Sequence, residues 1–324
     1  MQVVAIGGGT GLSTVLRGLK PYLPGFTRPA GTRAEISRLT AVVTVTDEGG
    51  SSGRLRRDFR ILPPGDIRNC MVALAEDEQL LTQLFNYRFS TGHGLRGHSF
   101  GNLFLVALTH LTRDFAKAVR VSGEVLAIRG EIFPSTLSDV RLKAEQINGN
   151  IIYGESRITK TRIPIKRLHI VPSRCRPLKE TLTALQEADL ITIGPGSLYT
   201  SLIPNLLVHG IPEQIARSRA VKVYVCNLMT QPGESRGYSA ADHVRALHEH
   251  AGRKLFDFVI LNTRPVSPSL RKRYAADGAV PVVNDFAEVG KLGVIPMLAD
   301  VLVQERVARH DSDRLANILL KLAS

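Results

Sequence analysis

The feature that most constrains this 324-residue sequence is a recurring unit: a short apolar run, then a glycine-rich turn, then apolar residues at helical spacing. Val3–Ile6 opens into Gly7-Gly8-Gly9-Thr10-Gly11-Leu12-Ser13, after which Val15, Leu16 and Leu19 recur at helical intervals. Leu39–Thr46 runs into the polar turn Asp47–Gly53, and Leu62–Asn69 leads into a helix through about Ala75. Gly92–Gly101 leads into a helix over Asn102–Leu111, and Leu190–Ile193 ends in Gly194–Ser201. Strands that are apolar throughout are buried on both faces, and helices between them supply the crossovers that parallel strands need. The pattern therefore predicts an α/β fold, a Rossmann-like three-layer architecture around a mostly parallel sheet.

Residues 121–172 break the rhythm. Here β-branched residues alternate with polar ones, and Asn148-Gly149 separates two strand-like runs, so an antiparallel β insertion is expected within a single α/β domain spanning 1–324. Pro21, Pro24, Gly25, Pro29 and Gly31 predict a loop over 21–38. The α/β rhythm returns with a helix near 203–218, strand Val221–Cys226, helix Ala240–His250 and strand Phe258–Leu261. A short helix at Leu270–Ala275, strands near Val280–Val283 and Met297–Leu302, and a terminal helix capped by Asp311 or Ser312 complete the reading.

Composition narrows the partners. Hydrophobic residues at 44% and charged residues at 22% describe a folded chain and exclude a disordered one. A net charge of +13 favours anionic ligands. Nucleic acid is not expected, because tryptophan is absent and the cations are scattered rather than drawn into a stripe interleaved with aromatics. One region does gather them: Arg54, Arg56, Arg57, Arg60, Arg68, Arg88 and Arg96 lie among the glycine-rich loops, where guanidinium groups can grip phosphate. Cys70, Cys175 and Cys226 are too far apart to suggest a disulfide framework or a zinc site. The chain opens on a strand instead of a signal peptide, and its longest apolar run, Leu103–Leu108, falls short of the ~20 residues of a membrane span. Cytoplasmic residence without membrane insertion is expected.

The glycine turns carry the candidate chemistry. The first sits where a Rossmann-like fold receives a phosphate, on backbone amides and the positive end of the following helix. It is not a strict dinucleotide fingerprint, since Leu12 stands where a third glycine would fall, and no Gly-Lys-Ser/Thr ends it, which disfavours a P-loop NTPase. A turn without a ligand is the plain alternative. Asp47, at the carboxyl edge of the sheet, could hold a ribose hydroxyl or a divalent cation such as Mg²⁺, or simply brace an Asx turn. Gly49-Gly50-Ser51-Ser52-Gly53-Arg54 has the make-up of an oxyanion cradle, with a flexible linker as its alternative. Gly97-His98-Ser99-Phe100-Gly101 matches the nucleophile elbow of serine hydrolases, but its approach is polar and glycine-rich, so Ser99 is expected as a helix cap or phosphate contact. His93, His98 and His110 lack ligand spacing for a metal. Gly194–Ser201 repeats the anion-loop logic, and Asn227 with Met229–Glu234 offers hydrogen-bonding groups at the next strand end.

Taken together, GGGTGLSTVLRGLK, VTVTDEGGSSGRLR, LPPGDIRNCMVAL, YRF with GHGLRGHSFGNLFLVAL, NIIYGES, IGPGSLYTSLIPNLLV and NLMTQPGES resemble the YvcK-type gluconeogenesis factors, relatives of 2-phospho-L-lactate transferase. The resemblance spans nearly the whole chain. It implies a cytoplasmic regulator that binds UDP-N-acetylglucosamine or another nucleotide, NAD included, and that sustains cell shape and envelope synthesis on gluconeogenic carbon. It further implies a protein partner in amino-sugar synthesis and a homo-oligomer. By resemblance, Gly8, Gly9, Thr10, Gly11, Asp47, Ser51, Ser52, Asn69, Asn102, Gly196, Ser197 and Asn227 stand in or near the ligand crevice, and Tyr274 and Arg309 resemble nucleotide-sugar contacts. One departure is Glu48, where the family pattern has a second Asp, so a metal geometry shared by both acids is put in question. The alternative reading is an Mg²⁺-dependent transferase of phosphorus-containing groups with Asp47 on the metal. No base for an acceptor stands out, which favours the regulator.

Overall fold

Seven of the apolar runs align in one parallel sheet, and its strand order fixes where a ligand can sit. The computed structural model describes residues 1–26, 34–76 and 78–324. The first half holds β1 (Gln2–Gly7), α1 (Gly9–Leu19), β2 (Arg38–Val43), α2 (Gly50–Phe59), α3 (Gly65–Leu74), α4 (Glu78–Asn86), α5 (Phe100–Thr112), α6 (Phe115–Val125) and β3 (Glu131–Pro134). A small subunit of the fold follows, with β4 (Arg141–Gln146), β5 (Ile151–Tyr153), α7 (Glu155–Ile158) and β6 (Ile165–Val171). The chain then returns through α8 (Lys179–Glu187), β7 (Leu190–Ile193), α9 (Ile203–Leu206), α10 (Ile211–Arg217), β8 (Val221–Val225), α11 (Ala240–Ala251) and β9 (Phe258–Asn262). It ends with α12 (Pro268–Ala276), α13 (Phe286–Lys291), β10 (Ile295–Ala299), β11 (Leu302–Gln304), β12 (Ala308–His310) and α14 (Ser312–Leu322).

The sheet order is β10-β9-β8-β7-β1-β2-β3, with every pair parallel. Growth runs outward from β1 to β3, then jumps back to β7 and runs outward the other way. Right-handed crossovers put connections made in opposite directions on opposite faces. The packing agrees: α1 lies against α3 and α14, while α8 lies against α10. β1, β2 and β7 are buried almost end to end, as strands covered on both faces must be, and one apolar core runs from Val3 to Leu320. This is the expected α/β, Rossmann-like layout.

The β insertion is smaller than the sequence pattern suggests. Residues 121–125 complete α6, whose N-terminus is capped by Asp114 accepting from Lys117 N at 2.9 Å, and β3 joins the main sheet beside β2. Only 141–171 forms an antiparallel sheet, in the order β5-β4-β6, turning at Asn148-Gly149 with Gly149 at φ +83°. Valines placed at helical spacing in α6 read as alternation when the Asp114 cap is overlooked. Val280–Val283 makes isolated bridges rather than a strand, since Pro281 brings no N–H to a ladder. The segment read as the turn Asp47–Gly53 becomes helix at Gly50, and the helix expected near 203–218 is divided by a break before Gly210 (φ +97°). Of the expected loop over 21–38, residues 27–33 lie outside the described residues. The terminal cap is Asp311, which accepts from Asp313 N and Arg314 N at 3.1 and 3.0 Å. Among the described residues no helix is long and apolar enough to cross a membrane.

Candidate functional site

β1 and β7 are neighbours in the sheet whose following connections diverge to opposite faces, which leaves a crevice outside their carboxyl ends, the place where open α/β sheets bind ligands. Two glycine loops meet there. A Cβ added to Gly11 would lie 2.1 Å from the Pro195 carbonyl oxygen, so the first turn and the β7 loop touch through bare backbone. Gly9 takes a left-handed conformation (φ +59°) with open space beside it, and Gly8, as N-cap of α1, offers no side chain to the free N–H groups of the helix.

The crevice is a cavity of about 520 Å³. Of the residues singled out in the sequence, Thr10, Gly11, Asn69, Gly196, Ser197, Asn227, Tyr274 and Arg309 line it. Asn227 is clamped on the β7 loop: its Oδ1 accepts from Gly196 N at 3.1 Å and its Nδ2 donates to Gly196 O at 2.8 Å. Gln231 Nε2 donates to Ser197 Oγ at 2.8 Å and keeps a buried Oε1 without a partner. Across the cavity, the Tyr274 hydroxyl accepts from Ala308 N at 3.1 Å and so fixes the β11–β12 hairpin that carries the exposed Arg309. His310 donates from Nε2 to Cys226 O, and burial pushes its pKa down to about 4, so it is neutral here. Sequence reasoning missed Thr14, Arg17 and His310 of the lining. Thr14 lies one helical turn beyond Thr10, to whose carbonyl its hydroxyl donates at 3.0 Å, and that i,i+4 spacing was the available signal.

Asp47, Ser51, Ser52 and Asn102 do not line this cavity; they form an adjoining polar cluster. Asp47 Oδ1 accepts from Gly49 N at 2.8 Å, the Asx brace foreseen as its plainer role. A Cβ on Gly65 would meet both Ser52 Oγ (2.4 Å) and Asp47 Oδ2 (2.7 Å), and one on Gly8 would meet Asp66 Oδ2 at 2.6 Å. These glycines let Asp47 approach the start of α3 and Asp66 approach the first turn, where Asp66 also accepts from Gly9 N–H. Burial, and then the charge of Asp47, pushes half-buried Asp66 up to about 7. Glu155 is raised by burial and by Asp47 as well. Glu48 turns its carboxylate toward Gly154, so the acid whose charge most acts on Asp66 is Asp47 and not Glu48. Asp66 opens α3 in the Gly65-Asp66 step, and its place in the first helical turn was the cue to its role.

In the same cluster Ser51 Oγ and His98 Nδ1 are 3.0 Å apart, and Asn102 Nδ2 donates to Ser51 Oγ (3.1 Å) and Ser52 Oγ (3.4 Å). Burial, then Arg54, lowers the pKa of His98. Ser99 is the N-cap residue of α5 and wholly buried, so it presents no exposed nucleophile. Glu234, 4% exposed, accepts from Tyr199 N, Thr200 N and Thr200 Oγ1 at 2.7–3.1 Å, ties down the turn after the β7 loop, and is pushed up to about 7 by burial. Among the described residues no three His, Cys, Asp or Glu side chains form a ready metal cage. A larger cavity of about 620 Å³ lies at the sheet edge against α6 and β3. It contains none of the residues above, and its floor of Ala116, Val119 and Ile132 lacks the glycine loops of the β1/β7 crevice.

Known proteins match this chain over nearly its whole length. The family model described as 2-phospho-L-lactate transferase CofD matches residues 3–302. A putative gluconeogenesis factor of Nostoc sp. is 51% identical over 99% of this chain and 68% of its own length. The gluconeogenesis factors of Halalkalibacterium halodurans and Bacillus subtilis are 46% and 44% identical over 99% of this chain and 96% and 98% of theirs. A crystal structure of a UPF0052 family member from Bacillus halodurans superposes with a TM-score of 0.91 at 45% identity, covering 98% of each chain.

Proposed function

From the premise that this chain belongs to the 2-phospho-L-lactate transferase CofD family, and within it to the gluconeogenesis factors, we propose that it binds a nucleotide sugar, UDP-N-acetylglucosamine, in the β1/β7 crevice. In this reading it acts as a cytoplasmic regulator of carbon flux into cell-envelope precursors, needed for cell shape under gluconeogenic growth, through a protein partner in amino-sugar synthesis and as a homo-oligomer. The observation that carries the binding proposal is the meeting of Gly11 with Pro195, which brings the backbones of the two glycine loops to one cavity. A diphosphate has the charge and the acceptor oxygens for such a space, and Arg309 adds a cation at its rim. Tyr274 and Asn69 supply an aromatic ring and an amide for the base and sugar.

A second reading, transfer of a phosphorus-containing group, is favoured by one feature, the Asp47–Asp66 pair, of which Asp66 lies against the first turn. Its all-oxygen donor set fits Mg²⁺, which takes one or two carboxylates and completes its shell with waters and ligand oxygens. A bound cation there would neutralise phosphate charge. The chain's own part is to hold Asp66 against Gly9 N–H and Asp47 against Gly49 N. Isothermal titration with UDP-N-acetylglucosamine, UDP and NAD, each with and without Mg²⁺, tests both readings. UDP-N-acetylglucosamine binding without turnover is expected; release of product from a phosphorylated donor with an acceptor alcohol would favour the transferase, and no binding of any nucleotide would overturn both.

A further inference from the structure

The crevice leaves unused the junction where α2 and α5 begin. These helices run for 10 and 13 residues, and neither N-cap, Gly49 or Ser99, has a side chain bonded to their free N–H groups. Buried polar groups crowd the same junction without partners. Asn102, 2% exposed, reaches from α5 to Ser51 and Ser52 in the first turn of α2, yet its Oδ1 has no hydrogen bond. Turned over about its last torsion, the amide would accept from both serines and hold out a free NH₂. Ser99 Oγ and Arg68 Nε are likewise unpartnered.

Cations that make no direct ion pair close the junction. Arg54 donates to Arg96 O at 2.9 Å and Arg88 to the next carbonyl, Gly97 O, so two guanidinium groups stand on adjacent residues of the segment that delivers His98. The aliphatic stem of Arg68 lies against Gly101, at the start of α5. None of Arg54, Arg68 and Arg88 makes an ion pair among the described residues, and Asp47 and Asp66 act on Arg68 only at longer range. Like charges gathered around unpartnered buried polar atoms are costly until an anion joins them.

We propose that this junction is an anion subsite, distinct from the nucleotide crevice, for the phosphoryl group of a second ligand, held by the helix N-termini, Asn102, Arg68 and Arg88. The inference does not depend on which nucleotide the crevice takes. Inorganic phosphate is the probe, titrated by calorimetry in chloride buffer and followed by phosphorus NMR. Wild type is expected to show a saturable phosphate site that Arg68→Gln and Arg88→Gln each weaken roughly tenfold, the effect of losing one charge-assisted hydrogen bond. Asn102→Asp, which sets a carboxylate among the donors, is expected to abolish the site. Arg309→Gln, in the crevice, is expected to leave it within about twofold, as separate sites behave independently. Melting curves check folding, and because Arg88 is exposed its variant keeps the test open if Asn102→Asp unfolds. The proposal falls if wild type binds no phosphate saturably, or if every phosphate site it has is indifferent to Arg68 and Arg88.

Discussion

Replacing Gly11 by alanine probes the joint between the two loops. The added methyl would sit 2.1 Å from the Pro195 oxygen and 2.6 Å from its carbonyl carbon, both backbone atoms that no rotamer change can move. Relief to an ordinary carbon–oxygen contact of about 3.3 Å requires the loops to part by roughly 1.2 Å. The β1–β7 ladder holds Ile6 opposite Ile193 immediately before the loops, so the displacement falls on the crevice. Overpacking against backbone belongs at the top of the usual range, about 3 kcal/mol. With an unfolding entropy of about 2.1 cal/mol/K per residue, a chain of 324 residues loses roughly 4 °C of melting temperature. Nucleotide affinity is expected to fall roughly tenfold or more, because the preorganised donors leave hydrogen-bond range. Gly9→Ala is the internal control: its methyl meets open space, and only the left-handed backbone at φ +59° costs it, about 1 kcal/mol. Differential scanning calorimetry and titration calorimetry on both variants decide the matter. A Gly11→Ala protein that melts no lower than Gly9→Ala and binds as wild type would refute the contact.

The acid cluster gives a pH prediction. Asp66 and Glu234 sit at about 7 in the fold, against about 4 for unfolded carboxyls, so the native state retains protons that the unfolded chain releases. Their contribution to stability is complete below about pH 4 and is lost as pH rises through 7; Asp66→Asn should therefore flatten the decline in melting temperature between about pH 5 and pH 8, and an unchanged slope would contradict the assigned shift. Asn227→Ala deletes both hydrogen bonds to Gly196, so a loss of about 1–2 kcal/mol in urea unfolding is expected together with weaker nucleotide binding; unaltered stability would remove the clamp from the picture. Asp47→Ala should eliminate any Mg²⁺-dependent increment in ligand affinity and leave the circular dichroism spectrum intact, whereas an increment that persists would move the cation elsewhere.

Much of this was legible in the residues. Continuous apolar strands such as Val3–Ile6 and Leu190–Ile193 can be buried only between two helical layers, so the parallel sheet followed from them directly. The pairing of the Gly8–Gly11 turn with Gly196 and Ser197 was legible for the same reason, since both follow such strands. What escaped was whatever depends on partners distant in sequence. The helix α2 hides behind Gly49-Gly50-Ser51-Ser52-Gly53, a run of weak helix formers whose first turn is held by His98 and Asn102, some 50 residues on. The short strand β3 looked like part of an antiparallel unit because only its register with β2 reveals the parallel pairing. The division of the predicted residues between a cavity and an acid-and-serine cluster was likewise invisible, because Asp47 and Gly196 both read as strand-end residues and only the strand order separates them.

Everything functional rests on the meeting of the two glycine loops at the carboxyl ends of β1 and β7. A crystal structure of the protein soaked with UDP-N-acetylglucosamine would examine it directly. The diphosphate should be found within hydrogen-bond distance of backbone N–H groups of both Thr10–Gly11 in the first turn and Ser197 in the β7 loop, with Arg309 at its edge. A ligand seated instead in the cavity against α6 and β3, or touching neither loop, would contradict the assignment.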